Sequence, residues 1–404
     1  MAQPTAQQKA QPTLKRRIGL GLLTAYGVGV MVGAGIYVLV GAVAAQAGTY
    51  APLAFVLAGL IAAPSALSYA ELSTRMPEAA GEAAFVERGL RSHALSLLVG
   101  LAIVAAGTVS AAAVLRGGVG YLTSVVPLPT LATTLVVGAA LVLVALIGVL
   151  ESLTVAAIFT ALEVLGLALV IWAGTTAVPT VEWQAPQVIG WTGVGAGATL
   201  AFFAFIGFED IVNMAEEVKQ PERTMPRAIL LSLLITAALY GLVAWAAVRA
   251  VPVADLVASE QPLALVWARA TGGSAAPLAL IAVAAALNGV LAQMVMASRV
   301  LFGLGRRSPA LKVFHRAHPL FGTPILATSA VGAVVLIGAL ALPVAALAGA
   351  TSAILLGVFV LVNAALIGVK RQTPEASFRV PMIVPVVGLI ASVAALLMLL
   401  GGGA

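Results

Sequence analysis

The chain has 404 residues, 61% of them hydrophobic and only 9% charged, with a mean hydropathy of +1.10. Soluble domains carry about 25% charged residues, so this composition excludes that class and indicates an all-α polytopic membrane protein whose first partner is the lipid bilayer. The absence of cysteine excludes disulfides, thiolate metal sites and a cysteine nucleophile, and the net charge of +6 is spread through short loops, which implies no nucleic-acid partner.

Residues 1–14, rich in Gln, Pro, Thr and Ala, read as a disordered tail. Eleven apolar runs then follow, at about 18–44, 51–73, 93–115, 131–150, 152–177, 191–214, 227–250, 275–304, 324–342, 345–369 and 380–400. Each approaches the roughly 20 residues needed to cross a bilayer. Ala45-Gln46-Ala47 imitates a signal-peptide cleavage site, but the apolar stretch before it is too long for a signal core and many spans follow. His93, His315 and His318 fall at segment ends or in loops, so no buried histidine cluster is expected to hold a metal.

Loop charges set the expected orientation. With the N-terminus inside, 17 of the 21 Lys and Arg fall in inside segments and three, Arg116, Arg249 and Arg269, fall outside; Arg299 lies within the eighth span. The positive-inside rule then places the chain in the cell (inner) membrane with a cytoplasmic N-terminus, and eleven spans put Ala404 outside.

Two spans are broken near the middle. The first reads V-G-V-M-V-G-A-G-I-Y from Val28 to Tyr37, and the sixth reads F-F-A-F-I-G-F-E-D from Phe202 to Asp210. Non-helical backbone at membrane depth is tolerated only where it is buried in protein or lines a cavity. Interruptions at matching positions in two halves point to a transporter substrate site. Spans one to five (15–177) and six to ten (191–370) form two sets, each opening on a broken member and entering from opposite sides, so the halves are expected to be inverted repeats. Residues 380–404 add an eleventh span outside the repeat. Gly29 and Gly33 also form a small-xxx-small pair, which commonly serves helix packing.

The physical logic of such breaks suits an amino acid. A helix restarted near Gly33–Gly35 offers free N–H groups and a positive dipole end to a carboxylate, with glycine allowing close approach. The preceding half frees carbonyls for an ammonium, and Phe203 to Ile206 offers a second set.

Charged residues inside spans are functional candidates, because a charge at a helix centre costs about 2.5–3.5 kcal/mol or more. Glu163 lies at the centre of span five and must be protonated, paired or coordinating a cation; the plainer alternative is a protonated glutamic acid hydrogen-bonded between helices. Glu209, just past the break in span six, either orders the unwound turn or binds a proton. Glu71 and Arg75, four apart, read as a surface helix pair. Glu216 and Glu217 read as a solvated or loop-tethering cluster with Arg223 and Arg227.

Several strings carry a resemblance: Gly33-Ala34-Gly35-Ile36 in span one; S-Y-A-E-L-S-T-R-M-P-E-A-A-G from Ser68 to Gly81; A-E-E-V-K-Q-P-E-R-T-M-P-R-A-I from Ala215 to Ile229; and M-A-S-R-V-L-F-G-L-G-R ending span eight. On these the chain resembles the amino acid–polyamine–organocation (APC) superfamily of secondary transporters, closest to bacterial and archaeal permeases related to cationic amino acid transporters. The resemblance implies the leucine-transporter fold, a 5+5 inverted repeat with discontinuous helices 1 and 6. It departs in having eleven spans where twelve are usual, and Glu82-Ala83-Ala84 where an aromatic residue is common.

The resemblance also implies roles. The carboxylate would meet backbone at Ala34 and Gly35, with Gly33 and Ile36 in the same substrate-binding stretch. The amine would meet carbonyls of Met31, Phe203, Ala204 and Ile206, with Phe205 in the same segment, and Phe203 would gate the site from outside. Glu163 falls where some proton-coupled relatives place a lysine at an old sodium site. The implied function is secondary transport of small neutral or cationic amino acids, by proton coupling or exchange. No cofactor is called for; a proton gradient is expected to drive transport, and a carboxylate near the old sodium site leaves a cation open. The alternatives are a non-transporting amino-acid sensor of the same fold and a polyamine or organocation transporter. No HExxH or GxSxG motif suggests an enzyme.

Overall fold

The computed structural model describes residues 16–33, 35–76, 81–147, 153–185, 188–318, 320 and 322–401. The described chain is helical almost throughout. Its helices are α1 (Leu20–Val32), α2 (Gly35–Ala47), α3 (Ala51–Arg75), α4 (Gly81–Leu90), α5 (His93–Val125), α6 (Thr130–Ile147), α7 (Leu153–Thr176), α8 (Val181–Gln184) and α9 (Trp191–Ala201). They continue as α10 (Pro221–Ala250), α11 (Val253–Ala258), α12 (Pro262–Thr271), α13 (Ala276–Arg307), α14 (Ile325–Ala341), α15 (Val344–Gln372) and α16 (Ile383–Gly401). Nine apolar stretches among the described residues are long enough to cross a membrane, and α1 and α14 are shorter apolar helices. The longest stretch, Gly35–Arg75, joins α2 to α3 through a 3-10 turn. Counting α1 with α2 as one broken span and α3 as the next gives the eleven spans read from the sequence.

Three boundaries differ from the hydropathy reading. The third span was expected to end at 115, yet α5 runs 33 residues to Val125. At 1.5 Å per residue that is about 50 Å, well beyond a hydrocarbon core of about 30 Å. The helix continues because glycines at 117 and 118 let it pack tightly on Val38 of α2 and Ala286 of α13. Arg116, assigned to an outside loop, is therefore inside α5, where its guanidinium donates to the carbonyl of Ala339 at 2.8 Å. The seventh span starts earlier than expected, at Pro221, which suits a first helical turn. The segments read as loops at 74–92 and 251–274 contain α4 and the pair α11 and α12.

The charge cluster at the end of α3 is a further correction. Glu71 and Arg75 do pair, at 2.6 Å, but Glu71 is fully buried and not on the surface. Its second oxygen binds Lys370 of α15 at 2.6 Å and accepts the Val380 N–H at 2.8 Å. The (i, i+4) spacing was legible; the third member, 299 positions along the chain, was not. This cluster ties α3, α15 and the approach to α16 together.

Four long helices form the centre, α5 packing along α13 and α3 along α10. α16 lies against α15 and α3. Asn363 joins these three: it donates to Ser65 at 2.9 Å and accepts from Ser68 at 2.7 Å, and Ser392 lies 3.5 Å from Ser65. At one face of the bundle, a short parallel bridge pairs Ile18, before α1, with Val218. Arg17 and Ile18 donate to the Glu217 carbonyl, and Lys219 donates to Ile18. Glu217 thus tethers the loop through its backbone; the side chain of Glu216 lies outside the described set.

Candidate functional site

Both interruptions are present, and they meet. α1 ends at Gly33, whose φ of 21° and ψ of −147° leave the helical region. α2 restarts at Gly35. Its first N–H groups, at Gly35, Ile36 and Tyr37, begin a helix and so have no intrahelical acceptor. Gly33 differs: its N–H is spent on the Gly29 carbonyl at 3.1 Å. Ala34 lies outside the described residues.

In span six, α9 tightens into a 3-10 turn over Phe202–Phe205. Ile206 is extended, Gly207 has φ of 126°, and a 3-10 run follows over Glu209–Glu217. A side chain at Gly207 would lie 2.8 Å from Val30 and 3.0 Å from the Met31 nitrogen, so glycine is required by both conformation and contact. The break in span six therefore rests directly on the end of α1. Glu209 accepts the Gly207 N–H at 2.9 Å, so its carboxyl orders the unwound turn.

A cavity of about 70 Å³ lies beside these breaks. A single water needs roughly 10–15 Å³, so the space suits a small polar ligand or several waters. Of the residues named from the sequence, Met31, Gly33, Gly35, Phe203 and Ile206 line it. Ile36 and Ala204 are buried behind the lining, and Phe205 turns away to stack edge-on against Tyr240 at 5.1 Å. Gly35 faces Ala204, 3.2 Å from where its own side chain would begin.

Sequence reasoning missed the opposite wall, which includes Tyr26, Ser110, Thr160, Asn288 and Gln293. Asn288 and Gln293 are polar amides in the middle of an apolar span, a signal that was available. Each is backed by a buried acid. Asn288 donates to Glu163 at 3.4 Å, and Gln293 donates to Asp210 at 3.4 Å. Glu163 and Glu209 themselves do not line the cavity. Glu163 is 1% exposed, and its second carboxyl oxygen has no hydrogen-bond partner. The Tyr37 hydroxyl donates to the Glu163 backbone carbonyl at 2.8 Å, linking α2 to α7.

Tyr240 was also missed. Its hydroxyl lies 2.7 Å from the Met31 carbonyl and 2.8 Å from the Ala204 carbonyl, one from each break. The Phe203 carbonyl accepts the Ile206 N–H at 3.2 Å. Three of the four carbonyls assigned to an ammonium thus have a protein donor within reach, Met31 and Ala204 sharing the single Tyr240 hydroxyl hydrogen. No group of three or more His, Cys, Asp or Glu among the described residues has the arrangement of a metal site.

Comparison with known proteins places these features in a family. The profile described as "Amino acid permease" matches residues 18–402. A cationic amino acid transporter 9, chloroplastic, of Arabidopsis thaliana is 30% identical over 301 residues, covering 69% of this chain and 53% of the relative. The branched-chain amino acid permease BcaP of Bacillus subtilis (strain 168) is 29% identical over 309 residues, 70% of this chain and 66% of the relative. A methylthioribose transporter of the same bacterium is 30% identical over 229 residues, 55% of this chain and 49% of the relative. The matches span about half to two thirds of these relatives' lengths. With the profile running over nearly all the described helices, the chain belongs to the amino acid permease family, within the APC superfamily.

Proposed function

We propose that the protein is a secondary transporter that moves amino acids across the cell membrane by alternating access. The observation that carries this reading is the contact between the two breaks, Gly207 against Val30 and Met31, beside a cavity lined by Gly33, Gly35 and Phe203. The substrate carboxylate would sit at the N–H groups that open α2, favoured by the helix dipole. Its ammonium would approach the carbonyls of the two breaks, displacing or sharing the Tyr240 hydroxyl. Phe203, on the cavity wall, would close over it.

The relatives named above carry cationic amino acids, branched-chain amino acids and methylthioribose in their names. A family with that spread supports an amino acid as the substrate class and leaves the side chain open. The two five-helix repeats proposed, 15–177 and 191–370, agree with the packing of α3 on α10 and α5 on α13, which occupy equivalent places in them. The N-terminus is assigned to the cytoplasm on loop charge.

Coupling is assigned to protons, with Glu163 as the first carrier. Its carboxyl is buried, has one weak donor in Asn288, and leaves one oxygen unpartnered. Such a carboxyl, facing an amide and no cation, is placed to carry the proton that accompanies closure around the substrate. Counterflow of labelled amino acids into liposomes containing the purified protein tests the reading. Accumulation of one amino acid class against preloaded substrate is expected; no counterflow with any amino acid would refute it.

A further inference from the structure

A second group of acids lies on the face of the bundle that carries the α1 N-terminus, separate from Glu163. Glu82 opens α4, the short helix between α3 and α5, and is 6% exposed. Glu209 and Asp210, from the break in span six, are 3% and 6% exposed. Tyr69 of α3 stands among them. Its ring packs edge-on against Phe85 of α4 at 6.2 Å, Phe208 at 5.6 Å and Phe359 of α15 at 5.5 Å. Its hydroxyl is wholly buried and faces the Glu82 carboxyl, with Glu209 and Asp210 also within electrostatic reach.

The charges do not balance. Arg299 of α13 is near Tyr26, as is Asp210, and can offset one carboxylate. Of the other cations on the packed elements, Arg306 of α13, Arg371 of α15 and Arg223 and Arg227 of α10 are exposed, and the rest are engaged elsewhere. Lys370 of α15 and Arg75 of α3 bind Glu71, and His93 of α5 and Arg307 of α13 bind Glu87. Arg88, on α4 itself, is exposed. Gly207 N–H and the Gln293 amide each donate one neutral hydrogen bond. The three buried acids thus face one another and Tyr69 with few opposing charges, an arrangement suited to holding a proton among them. Burial pushes Glu82, which lies outside the spans, up to about 7, and the Asp210 charge adds to that rise.

We propose that Glu82, Glu209 and Asp210, with the Tyr69 hydroxyl, form a second proton-holding site, and that Glu82 is the group through which it exchanges protons with the cytoplasm. This rests on the proton-coupled reading above. A proton leaves Glu209 or Asp210 as the carboxylic acid and is taken up by ionised Glu82. Tyr69 can pass it by accepting on oxygen and releasing its own hydroxyl hydrogen. Only O–H bonds form and break, and no electrons are transferred. Because Glu82 belongs to α4 while Glu209 orders the turn of span six, the proton's position bears on whether that helix stays docked against the break.

The test compares the parent with Glu82→Gln, Glu82→Asp and Tyr69→Phe in liposomes. Glu82→Gln is expected to keep counterflow, while uptake driven by an imposed pH gradient falls to the level seen without a gradient. The flank of the parent's pH profile near 7 should vanish in Glu82→Gln and return, displaced, in Glu82→Asp. Infrared titration should show one fewer carboxylic acid C=O band losing intensity across that pH range. Folding is checked by thermal unfolding. The folded-state value lies above the ordinary 4.5, so the parent loses stability as pH rises from about 4.5 through 7, and Glu82→Gln should gain on it over that window. If the parent shows gradient-driven uptake and Glu82→Gln has the same pH profile, this site is overturned and Glu163 coupling stands. If the parent shows counterflow without any gradient-driven uptake, proton coupling falls as a whole, and this proposal with it.

Discussion

Gly35 illustrates how much a missing side chain can decide. Its absent β-carbon would sit 3.2 Å from the Ala204 α-carbon, so any larger residue has to push span six away from span one. Gly35→Leu should therefore insert in the membrane at the parent's level and lose substrate binding in a scintillation proximity assay. Normal binding would mean that the glycine serves packing alone. Glu163 poses a different question, because its partner Asn288 offers an amide and no charge. Glu163→Gln copies the protonated form permanently. It should retain counterflow but lose net uptake driven by a pH gradient, read with labelled substrate in liposomes. Uptake equal to the parent's would make Glu163 a structural residue. The presence of both breaks was legible because Gly33, Gly35 and Gly207 interrupt long apolar runs. The role of Tyr240 was not, since a tyrosine in a span gives no hint that its hydroxyl reaches carbonyls 209 and 36 positions away.

At the scale of elements, helix ends are held by a few buried polar anchors. Glu71 joins Arg75, Lys370 and the Val380 amide. Glu71→Ala leaves two cations without their carboxylate, and breaking such a buried group costs about 3–5 kcal/mol. A clear fall in the thermal unfolding temperature in detergent is expected, and an unchanged temperature would show that water already screens the cluster. α7 is capped comparably: Arg249, near the end of α10, donates to the carbonyls of Gly174 and Ala177 and lies 5.6 Å from the Trp245 ring. Hydropathy placed both arginines at segment ends, as they are. It could not show which carbonyl or carboxylate each would find, because that depends on which helices become neighbours.

For the whole molecule, the proposed orientation rests on loop charge and on the parity of the spans. A tag attached at Ala404 should be labelled by an impermeant reagent on intact cells. Labelling only after permeabilisation would reverse the assignment of that end. At the centre of the molecule α3 packs along α10 and α5 along α13.

The sequence by itself determined the membrane class, the eleven spans and the two interruptions. Each is a local property: hydropathy over about 20 residues, or a glycine that relaxes the backbone. The resemblance to the APC superfamily was legible too, because its strings are contiguous. The tertiary structure alone decided which residues share the cavity, bringing Asn288 and Gln293 together with Gly33 and Gly35, and it alone set Tyr69 of α3 between Phe85 of a loop helix and Phe208 of span six. It also moved Glu71 from surface to core and carried α5 past Arg116. These outcomes depend on contacts between helices far apart in the chain. In a span of nearly uniform apolar composition, side-chain pattern barely distinguishes the face that meets lipid from the face that meets protein, so packing made that choice.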